Sequence, residues 1–359
     1  MRTVAVLGTV GIPGNYGGFE TLCENIVRYH QVNNVQVSLV VYCSALSYSE
    51  RPTSYLRAEL RYVRLKANGV SSILYDIVSL LSAVRHGSDV IVLLGVSGAT
   101  VLPLIRLISR ARIVTNIDGI EWKREKWKGL ARWFLRLSER MAVRFSHEVI
   151  ADNDGIARHV SDAYGRDCQV IAYGGDHVFI APVRPYEGEA LPLRYALALC
   201  RIEPENNIAM ILEAFAHTPE MPLLFVGNWH SSLFGQALKK RYSVVGHLRL
   251  LDPIYDAGVL RTLRGNAALY VHGHSAGGTN PSLVEMMHFG VPILAYDCIF
   301  NRFTTDGKAL FFKNADELRS TAAALTPTAS DDVGAAMLRI AQRRYTWDVI
   351  GREYFRVIG

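Results

Sequence analysis

The sequence predicts an α/β protein of two successive Rossmann-like domains, each a doubly wound parallel sheet. In both halves of the chain, short segments that are apolar almost throughout alternate with stretches of helical periodicity. This pattern is expected for parallel strands covered by helices on both faces. A segment rich in Pro and charge, residues 181–192, separates the two series and is predicted to be a linker. The length of 359 residues also suits two domains.

The first series defines a predicted N-terminal domain, residues 1–180. Two stretches within it, residues 19–30 and 74–86, have the apolar spacing of helices. Six apolar segments are predicted to be buried strands: residues 3–7, 37–42, 60–65, 89–94, 112–115 and 148–151.

The second series defines a predicted C-terminal domain, residues 193–340, with helical spacing at residues 207–217 and 281–289. Its predicted strands are residues 195–199, 223–226, 248–250, 268–272 and 292–296. Residues 341–359 are predicted to form a closing helix that packs back towards the first domain. In this architecture the ligand cleft is expected between the carboxyl ends of the two sheets.

The composition excludes several classes of protein. Half of the residues are hydrophobic and a fifth are charged, so the chain is neither disordered nor of low complexity. Five cysteines without a CxxC pair argue against a disulfide scaffold or a zinc knuckle and favour a reducing cytosol. The first nine residues are too short an apolar run for a signal peptide, and Gly and Pro interrupt the apolar segment 90–105. A cytoplasmic protein is therefore expected.

The positive charge of the chain is concentrated in one segment, residues 122–145. This segment has eight basic and two acidic residues, a net charge of +6 that equals the formal charge of the whole chain. It holds three of the five tryptophans, and its apolar residues recur at helical spacing from residue 130. Basic residues beside aromatic ones suit an anionic membrane, which predicts peripheral attachment to the inner face of the cell membrane. The alternative is a solvated helix face, and no motif there indicates nucleic acid.

A glycine-rich loop, residues 8–20, follows the first strand. Five glycines in this loop allow the backbone to approach a ligand closely, and we predict that Gly14, Gly17 and Gly18 bind substrate. The alternative is an ordinary strand-to-helix turn. The spacing is not the GxGxxG fingerprint of dinucleotide-binding proteins, and no acidic residue stands about 20 positions further on, so a nicotinamide dehydrogenase is the least favoured class.

The second domain has two segments that suit an anionic ligand. Arg201 follows a predicted strand, where its guanidinium is expected to hold phosphate oxygens. Residues 273–282 form a loop of small residues that leads into a helix, and Glu285 follows one turn later. A helix start with free N–H groups is a cradle for phosphate or ribose. The residues predicted to bind substrate there are Gly277, Gly278, Thr279, Asn280 and Ser282.

Other polar residues follow predicted strands and are candidates for the same cleft. Asp118 is a candidate for orienting a substrate hydroxyl, with capping of the next turn as the alternative. Lys123 is expected to meet a phosphate, and Asp152 and Tyr173 are expected to line the cleft. His274 is expected near the bound substrate.

No metal site and no cofactor are predicted. Asp152, Asn153 and Asp154 match a DxD metal-binding pattern, but here the pattern ends a strand and begins a helix, which favours capping. The spacing of His272, His274 and His288 does not suggest a zinc site.

Several of these segments together resemble the retaining family-4 glycosyltransferases of the GT-B fold, and most closely their bacterial rhamnosyltransferase subgroup. The segments are GIPGNYGGFETLCENI from residue 11, NIDGIEWKREKWKG from 116, ADNDGI from 151, YGGD from 173, RIEPENN from 201 and HSAGGTNPSLVEMMHFGVPILAYD from 274. The chain departs from the wider superfamily at two positions. Gly277 stands where the first Glu of the donor loop is usual, and Asn206 stands where a phosphate-binding Lys is usual.

The resemblance implies transfer of L-rhamnose from dTDP-L-rhamnose, with retention, to a sugar on an undecaprenyl diphosphate carrier. It implies that the first domain binds the acceptor and the second the nucleotide sugar. Arg201 and residues 279–282 would hold the departing diphosphate without a metal, and Glu285 would grip the ribose or the donor sugar.

Three alternatives stay open from the sequence. The first is a GT-B glycosyltransferase that uses another nucleotide sugar. The second is a GT-B nucleotide-sugar epimerase, which leaves the tryptophan-rich basic segment unexplained. The third is a non-catalytic scaffold at the membrane, which intact Arg201 and Glu285 argue against but Gly277 and Asn206 allow.

Overall fold

A computed structural model of the chain describes residues 1–14, 17–123 and 127–359. It divides into two compact units, Met1–Ala172 with Trp347–Gly359, and Tyr173–Thr346. The sequence set the first boundary at residue 180, but a 3-10 helix at Asp176–Phe179 belongs to the second unit because it packs on helices of that unit. Residues 181–192 are also part of the second unit.

The first unit is built on an eight-stranded sheet in the order β3-β4-β2-β1-β5-β6-β7-β8. Its strands are β1 (Arg2–Leu7), β2 (Val37–Ser44), β3 (Ser54–Tyr55), β4 (Ala58–Val63), β5 (Val90–Leu94), β6 (Arg112–Asn116), β7 (Glu148–Ala151) and β8 (Gln169–Val170). All pairs are parallel except β3 with β4. Central β5 is buried along its whole length, as its unbroken apolar sequence predicts. The six predicted strands are present, and the two-residue strands β3 and β8 are additional.

Helices connect these strands across the sheet. They are α1 (Gly18–Val32), α2 (Ser71–Arg85), α3 (Leu102–Ile108), α4 (Gly129–Phe145) and α5 (Asp154–Tyr164). Helices α2, α3 and α4 each lead to a strand further in the same direction along the sheet. Because such crossovers are right-handed, these three helices lie on one face of the sheet. Their contacts, α2 with α3 and α3 with α4, agree.

The second unit is built on a six-stranded parallel sheet in the order β11-β10-β9-β12-β13-β14. Its strands are β9 (Ala196–Leu199), β10 (Leu223–Val226), β11 (Leu248–Leu251), β12 (Leu269–His272), β13 (Ile293–Tyr296) and β14 (Leu310–Phe312). Its helices are α6 (Ile208–Ala216), α7 (Leu233–Tyr242), α8 (Ala257–Gly265), α9 (Pro281–Met287), α10 (Ile299–Thr304), α11 (Ala315–Ala323) and α12 (Pro327–Arg344). The core includes fully buried Trp229.

The last helix, α13 (Trp347–Ile358), belongs to the first unit and packs on α1. Phe355 stacks on Tyr29 with ring centroids 5.7 Å apart. A Cβ atom at Gly351 would lie 2.3 Å from the Tyr29 ring, so only glycine allows this close approach of the two helices.

The described residues contain no helix that combines the length and the apolar character needed to span a bilayer.

Candidate functional site

Most of the predicted residues lie in loops at the carboxyl edge of a sheet, and the others lie in the helices that follow those loops. In the first unit the glycine-rich loop follows β1, Asp118 follows β6 and Asp152 follows β7. In the second unit Arg201 follows β9, and residues 273–280 follow β12. Since neighbouring parallel strands end on the same side, each unit gathers its candidates at one edge. Each unit is described by itself below.

Two carboxylates of α1 hold the glycine-rich loop. Glu20 Oε1 accepts hydrogen bonds from Thr9 Oγ1 (3.0 Å) and the Val10 backbone N–H (2.8 Å). Glu24 Oε2 accepts one from the Gly14 N–H (2.9 Å). Carboxylates that already occupy these N–H groups disfavour a phosphate there, so the loop suits hydroxyl groups better than an anion.

Gly17 and Gly18 make the turn from this loop into α1. Gly17 has φ of +132°, and a Cβ there would lie 1.9 Å from Glu20 Oε2, so the position requires glycine. Gly18 is the first residue of α1. Residues 15 and 16 of the predicted loop lie outside the described residues.

Asp118 lies in a left-handed backbone conformation, with φ of +56°. Such a conformation in a residue other than glycine is uncommon and clusters at functional sites. Its N–H donates to Asn116 Oδ1 (3.0 Å), and Asn116 Nδ2 donates to the Tyr354 hydroxyl of α13 (2.6 Å). Buried Asn116 therefore fixes the Asp118 loop against α13.

Asp152 approaches the same tyrosine from the next strand and is 2% exposed. Burial raises the pKa of Tyr354, the hydrogen bond from Asn116 opposes that rise, and the charges of Asp152 and Asp118 add to it. Asp118 and Asp152 thus gather around Tyr354.

The DxD-like segment caps a helix, as predicted. Asn153 is the N-cap of α5, and its side chain accepts a hydrogen bond from the Gly155 N–H (2.9 Å). Among the described residues, no group of three or more His, Cys, Asp or Glu side chains is arranged to hold a metal ion.

The basic segment forms a 3-10 helix at Glu121–Lys123 and then α4. Lys123, Arg132 and Arg136 surround the Trp122 ring, with their cationic groups 5.4–5.6 Å from its centroid. The indole N–H of Trp122 donates to buried Glu139 (3.0 Å). Lys123 is thus exposed beside an aromatic ring. Residues 124–126 lie outside the described residues.

In the second unit, Arg201 is the exposed cation that the sequence predicts after β9. Its side chain is 47% exposed, and Nη1 lies 3.9 Å from Glu203 Oε1. Asn206 is buried and donates from Nδ2 to the Arg201 carbonyl oxygen (2.7 Å). Asn206 therefore shapes the loop that carries Arg201. Tyr173, which begins this unit, is 4% exposed.

The loop after β12 is tied to the loop after β9. Asn207 Nδ2 donates to the Gly273 carbonyl oxygen (2.8 Å), and the Ser275 N–H and hydroxyl both donate to the Glu205 carbonyl oxygen (3.0 and 2.8 Å). Arg201 and the loop after β12 are thus parts of one assembly. Gly277 has φ of +110° and open space around its Cα, and Gly278 follows it.

Asn280 is the N-cap of α9, and Thr279 before it is 4% exposed. The Asn280 side chain accepts hydrogen bonds from the Ser282 N–H (3.1 Å) and hydroxyl (2.8 Å). Its carbonyl oxygen accepts from the N–H groups of Leu283 and Val284. The first-turn donors that the sequence offers to a phosphate therefore have partners within the protein, and a ligand would have to displace the Asn280 cap.

Glu285 lies in a buried cluster with an arginine, Arg264, and a histidine, His177. Arg264, at the end of α8, forms an ion pair with it, and the two side chains are 7% and 14% exposed. His177 Nε2, from the 3-10 helix at Asp176–Phe179, lies 3.4 Å from Glu285 Oε1. Burial alone raises the pKa of Glu285, but Arg264 and His177 outweigh it and hold this pKa below its usual value. Glu285 is therefore an ionised carboxylate in a nearly dry site.

His274 stacks on His272, with ring centroids 4.4 Å apart and planes 13° apart. Both ring nitrogens of His272 are buried without a hydrogen-bond partner among the described residues. Burial, and then His274, lower the pKa of His272, so its imidazole is neutral. His288 Nε2 donates a hydrogen bond to the Tyr345 carbonyl oxygen (3.0 Å), a packing role.

The sequence missed the residues that hold the candidates in position. Arg264 and His177 reach Glu285 from distant segments, and Tyr354 of α13 holds Asn116, which in turn binds Asp118. Only Asn116 has a local signal, since it is a polar residue at the buried end of β6, two positions before Asp118.

Comparisons with known proteins cover both units. The family model described as a domain of unknown function, DUF1972, matches residues 1–176, just under half of the chain. The phosphatidyl-myo-inositol mannosyltransferase of Mycobacterium leprae is 28% identical over 222 residues. This alignment spans 58% of the chain and 58% of the mannosyltransferase.

Solved structures are similar along the whole chain. Sucrose-phosphate synthase from Thermosynechococcus elongatus has a TM-score of 0.79 at 13% identity, covering 99% of this chain and 98% of its own. HepE of Anabaena in complex with UDP-glucose has a TM-score of 0.71 at 15% identity, covering 99% of both chains. A glycosyltransferase from Rickettsia africae has a TM-score of 0.73 at 12% identity, covering 99% and 97%. The chain therefore has the GT-B fold of these glycosyltransferases, as its sequence predicts.

Proposed function

We propose that this chain is a retaining glycosyltransferase that takes a sugar from a nucleotide-sugar donor. The GT-B fold and the 28% identical mannosyltransferase support the reaction class. HepE, solved with UDP-glucose, and sucrose-phosphate synthase share the fold and support a nucleotide-sugar donor.

The observation that carries the proposal is the ionised carboxylate of Glu285 at the donor loop. A carboxylate accepts hydrogen bonds from hydroxyl groups through up to four lone pairs, which suits a ribose or a sugar. Arg264 and His177 occupy part of this capacity and fix the orientation of the carboxylate. Glu285 then grips the ribose or the donor sugar through its remaining positions.

Arg201 is the residue that stabilises the departing diphosphate. A diphosphate departs as the sugar acquires oxocarbenium character, and a fixed cation stabilises the charge that develops. Arg201 is exposed, its only carboxylate neighbour among the described residues is 3.9 Å away, and its loop is anchored by Asn206. It is therefore available to a phosphate.

The acceptor hydroxyl is assigned to the carboxyl edge of the first unit. Asp118 is held at positive φ by Asn116, and Asp152 lies beside the same tyrosine. A positioned carboxylate orients a hydroxyl through a hydrogen bond. The departing phosphate accepts the proton, so no enzyme nucleophile is needed.

We propose dTDP-L-rhamnose as the donor and a saccharide on undecaprenyl diphosphate as the acceptor. The sequence segments that resemble family-4 rhamnosyltransferases of surface-polysaccharide synthesis support this choice, since they include the donor loop itself. Residues 122–145 would attach the enzyme to the anionic inner face of the membrane, where its lipid-linked acceptor is found.

The donor half of the proposal is tested by release of nucleoside diphosphate from a panel of nucleotide sugars in the presence of a synthetic lipid-diphosphate saccharide. Release is expected with dTDP-L-rhamnose. Arg201→Ala should abolish most of it, while Arg319→Ala is the matched control because both side chains are 47% exposed. Equal losses in the two variants, or release from no donor, would overturn the proposal. Free epimerised nucleotide sugar would identify an epimerase instead.

A further inference from the structure

Three neighbouring helices of the first unit expose apolar side chains on the face of the sheet that they share. Eight of the 21 exposed large apolar side chains in the described residues belong to α2, α3 and α4, helices of 15, 7 and 17 residues. These side chains are Leu74, Val78, Leu81, Leu104, Leu107, Ile108, Leu130 and Trp133. Scattered exposed apolar residues are normal, but a group of this size marks a docking surface.

The spacing of these residues makes a stripe on each helix. On α2 they stand at positions 74, 78 and 81, and on α3 at 104, 107 and 108. On α4, Leu130 is 85% exposed and Trp133, three positions on, is 63% exposed. Residues three or four apart share one side of a helix, so each helix directs its stripe outward while its other side covers the sheet.

The charges of the same surface have one sign. Six arginines on these helices are exposed: Arg85, Arg106, Arg132, Arg136, Arg140 and Arg144. Their two carboxylates, Asp76 and Glu139, are each 3% exposed. Glu139 accepts hydrogen bonds from Trp122, His159 and Tyr164, so it is not presented to the surface. The solvent-facing side of the three helices is therefore apolar and basic, with no carboxylate.

A groove of about 840 Å³ continues this surface between α4 and the end of α5. Trp133, Arg136, Arg140, Arg144 and Arg166 are among its lining residues. The Arg166 guanidinium is committed to backbone carbonyl oxygens, including those of Ser146 and His147 at 2.9 Å. Arg136 lies over the Trp122 ring and Arg144 over the Phe145 ring, and none of the three α4 arginines forms a salt bridge within the described part of the chain. A ring contact leaves the N–H groups at the guanidinium edge able to bind phosphate.

We infer that α2, α3 and α4 form one docking surface for an anionic phospholipid bilayer. The apolar stripes enter the boundary between headgroups and acyl chains, and the arginines contact lipid phosphates. This inference rests on the membrane attachment proposed for residues 122–145 and extends it to two helices outside that segment. It makes the attachment apolar as well as electrostatic, so part of it resists salt.

The test is co-sedimentation of the full chain with vesicles of phosphatidylcholine, alone or mixed equally with phosphatidylglycerol. Leu74→Gln and Leu107→Gln should each lower the partition coefficient on mixed vesicles about tenfold, at low and at high salt, because each removes one inserted side chain. Leu233→Gln, in α7 of the second unit, is the matched control and should bind as wild type, since Leu107 and Leu233 are both 84% exposed.

Substitution of arginines in α4 measures the electrostatic contribution to vesicle binding. The double variant Arg136→Gln/Arg140→Gln should bind mixed vesicles about twentyfold more weakly at low salt and nearly as well as wild type at high salt. Circular dichroism should show unchanged helix content in every variant, since all the replaced side chains are exposed.

Two results would overturn the inference. One is wild-type affinity of both leucine variants for mixed vesicles. The other is a dimer of the wild-type chain that Leu107→Gln dissociates without any change in vesicle binding, which would assign the surface to a second copy. Donor-dependent release of nucleoside diphosphate, measured on the same variants without vesicles, should not change. If the wild-type chain itself releases no nucleoside diphosphate, the result contradicts the proposed function and leaves the membrane-docking surface to be judged by vesicle binding.

Discussion

Replacing Arg264 by Met should expose how the second unit keeps Glu285 ionised. The substitution keeps a long apolar side chain but removes the guanidinium from an ion pair whose two side chains are 7% and 14% exposed. Removing one partner of a buried pair costs about 3–5 kcal/mol, because the other charge stays behind unpaired. The lower end applies here, since Glu285 keeps His177 at 3.4 Å. With a urea dependence of about 2–3 kcal/mol per molar, the unfolding midpoint should fall by about 1 M.

The difference in stability between the wild type and Arg264→Met should depend on pH. In the wild type the pKa of Glu285 lies below its usual value of 4.5, so the pairing stabilises the fold above pH 4.5 and is lost as pH falls through the lowered pKa. In Arg264→Met, burial is the main remaining influence and raises this pKa. The variant then loses stability as pH rises from 4.5 to the raised pKa, and no further above it. The gap between the two proteins should therefore open at the lowered pKa of the wild type and widen until pH reaches the raised pKa of the variant.

The assay is urea unfolding at several pH values, followed by NMR of 5-fluorotryptophan protein. Trp229 is the one tryptophan of the second unit and is fully buried, so its resonance reports on that unit. The double variant Arg264→Met/Glu285→Gln removes the stranded charge and should recover much of the loss. An unchanged midpoint in Arg264→Met, or a gap independent of pH, would refute the account of Glu285.

Three further predictions concern other parts of the two sites. Arg201→Ala should lower turnover about a hundredfold or more with unchanged melting, measured by product release and calorimetry, because an exposed cation for the leaving group is lost; a change only in melting would contradict this. Asp118→Asn should lower kcat while donor binding by titration calorimetry stays as in wild type, and a loss of donor affinity would place Asp118 elsewhere in the reaction. Gly17→Ala should destabilise the fold by about 1–3 kcal/mol in urea unfolding, because φ is +132° and the added Cβ meets Glu20; no change would mean that the loop relaxes freely.

The sequence predicted the fold well where its signal is local. Parallel strands buried on both faces appear as unbroken apolar runs, which is why β5 and β12 were located within a residue or so. Strands of two residues, such as β3 and β8, have no periodicity to read. The exposed stripes of α2 and α3 were also missed, because an apolar residue that faces solvent has the same spacing in the sequence as one that faces the core.

The candidate site was predictable only in part for a similar reason. Glu285, Arg201 and Asp118 stand in segments with recognisable loops, but Arg264 and His177, the partners of Glu285, come from distant segments. Arg264 is 21 positions from Glu285, on a different helix. The free N–H groups expected at the start of α9 are occupied by Asn280, a competition between capping and ligand binding that the sequence leaves open.

The central claim is transfer of a sugar from a nucleotide donor to a lipid-linked acceptor, and mass measurement of the acceptor tests it most directly. The wild-type chain is incubated with a synthetic undecaprenyl-diphosphate saccharide and one nucleotide sugar at a time. The account predicts a mass gain of one deoxyhexose with dTDP-L-rhamnose. An acceptor of unchanged mass with every donor, from a folded protein that still binds a nucleotide sugar, would contradict it.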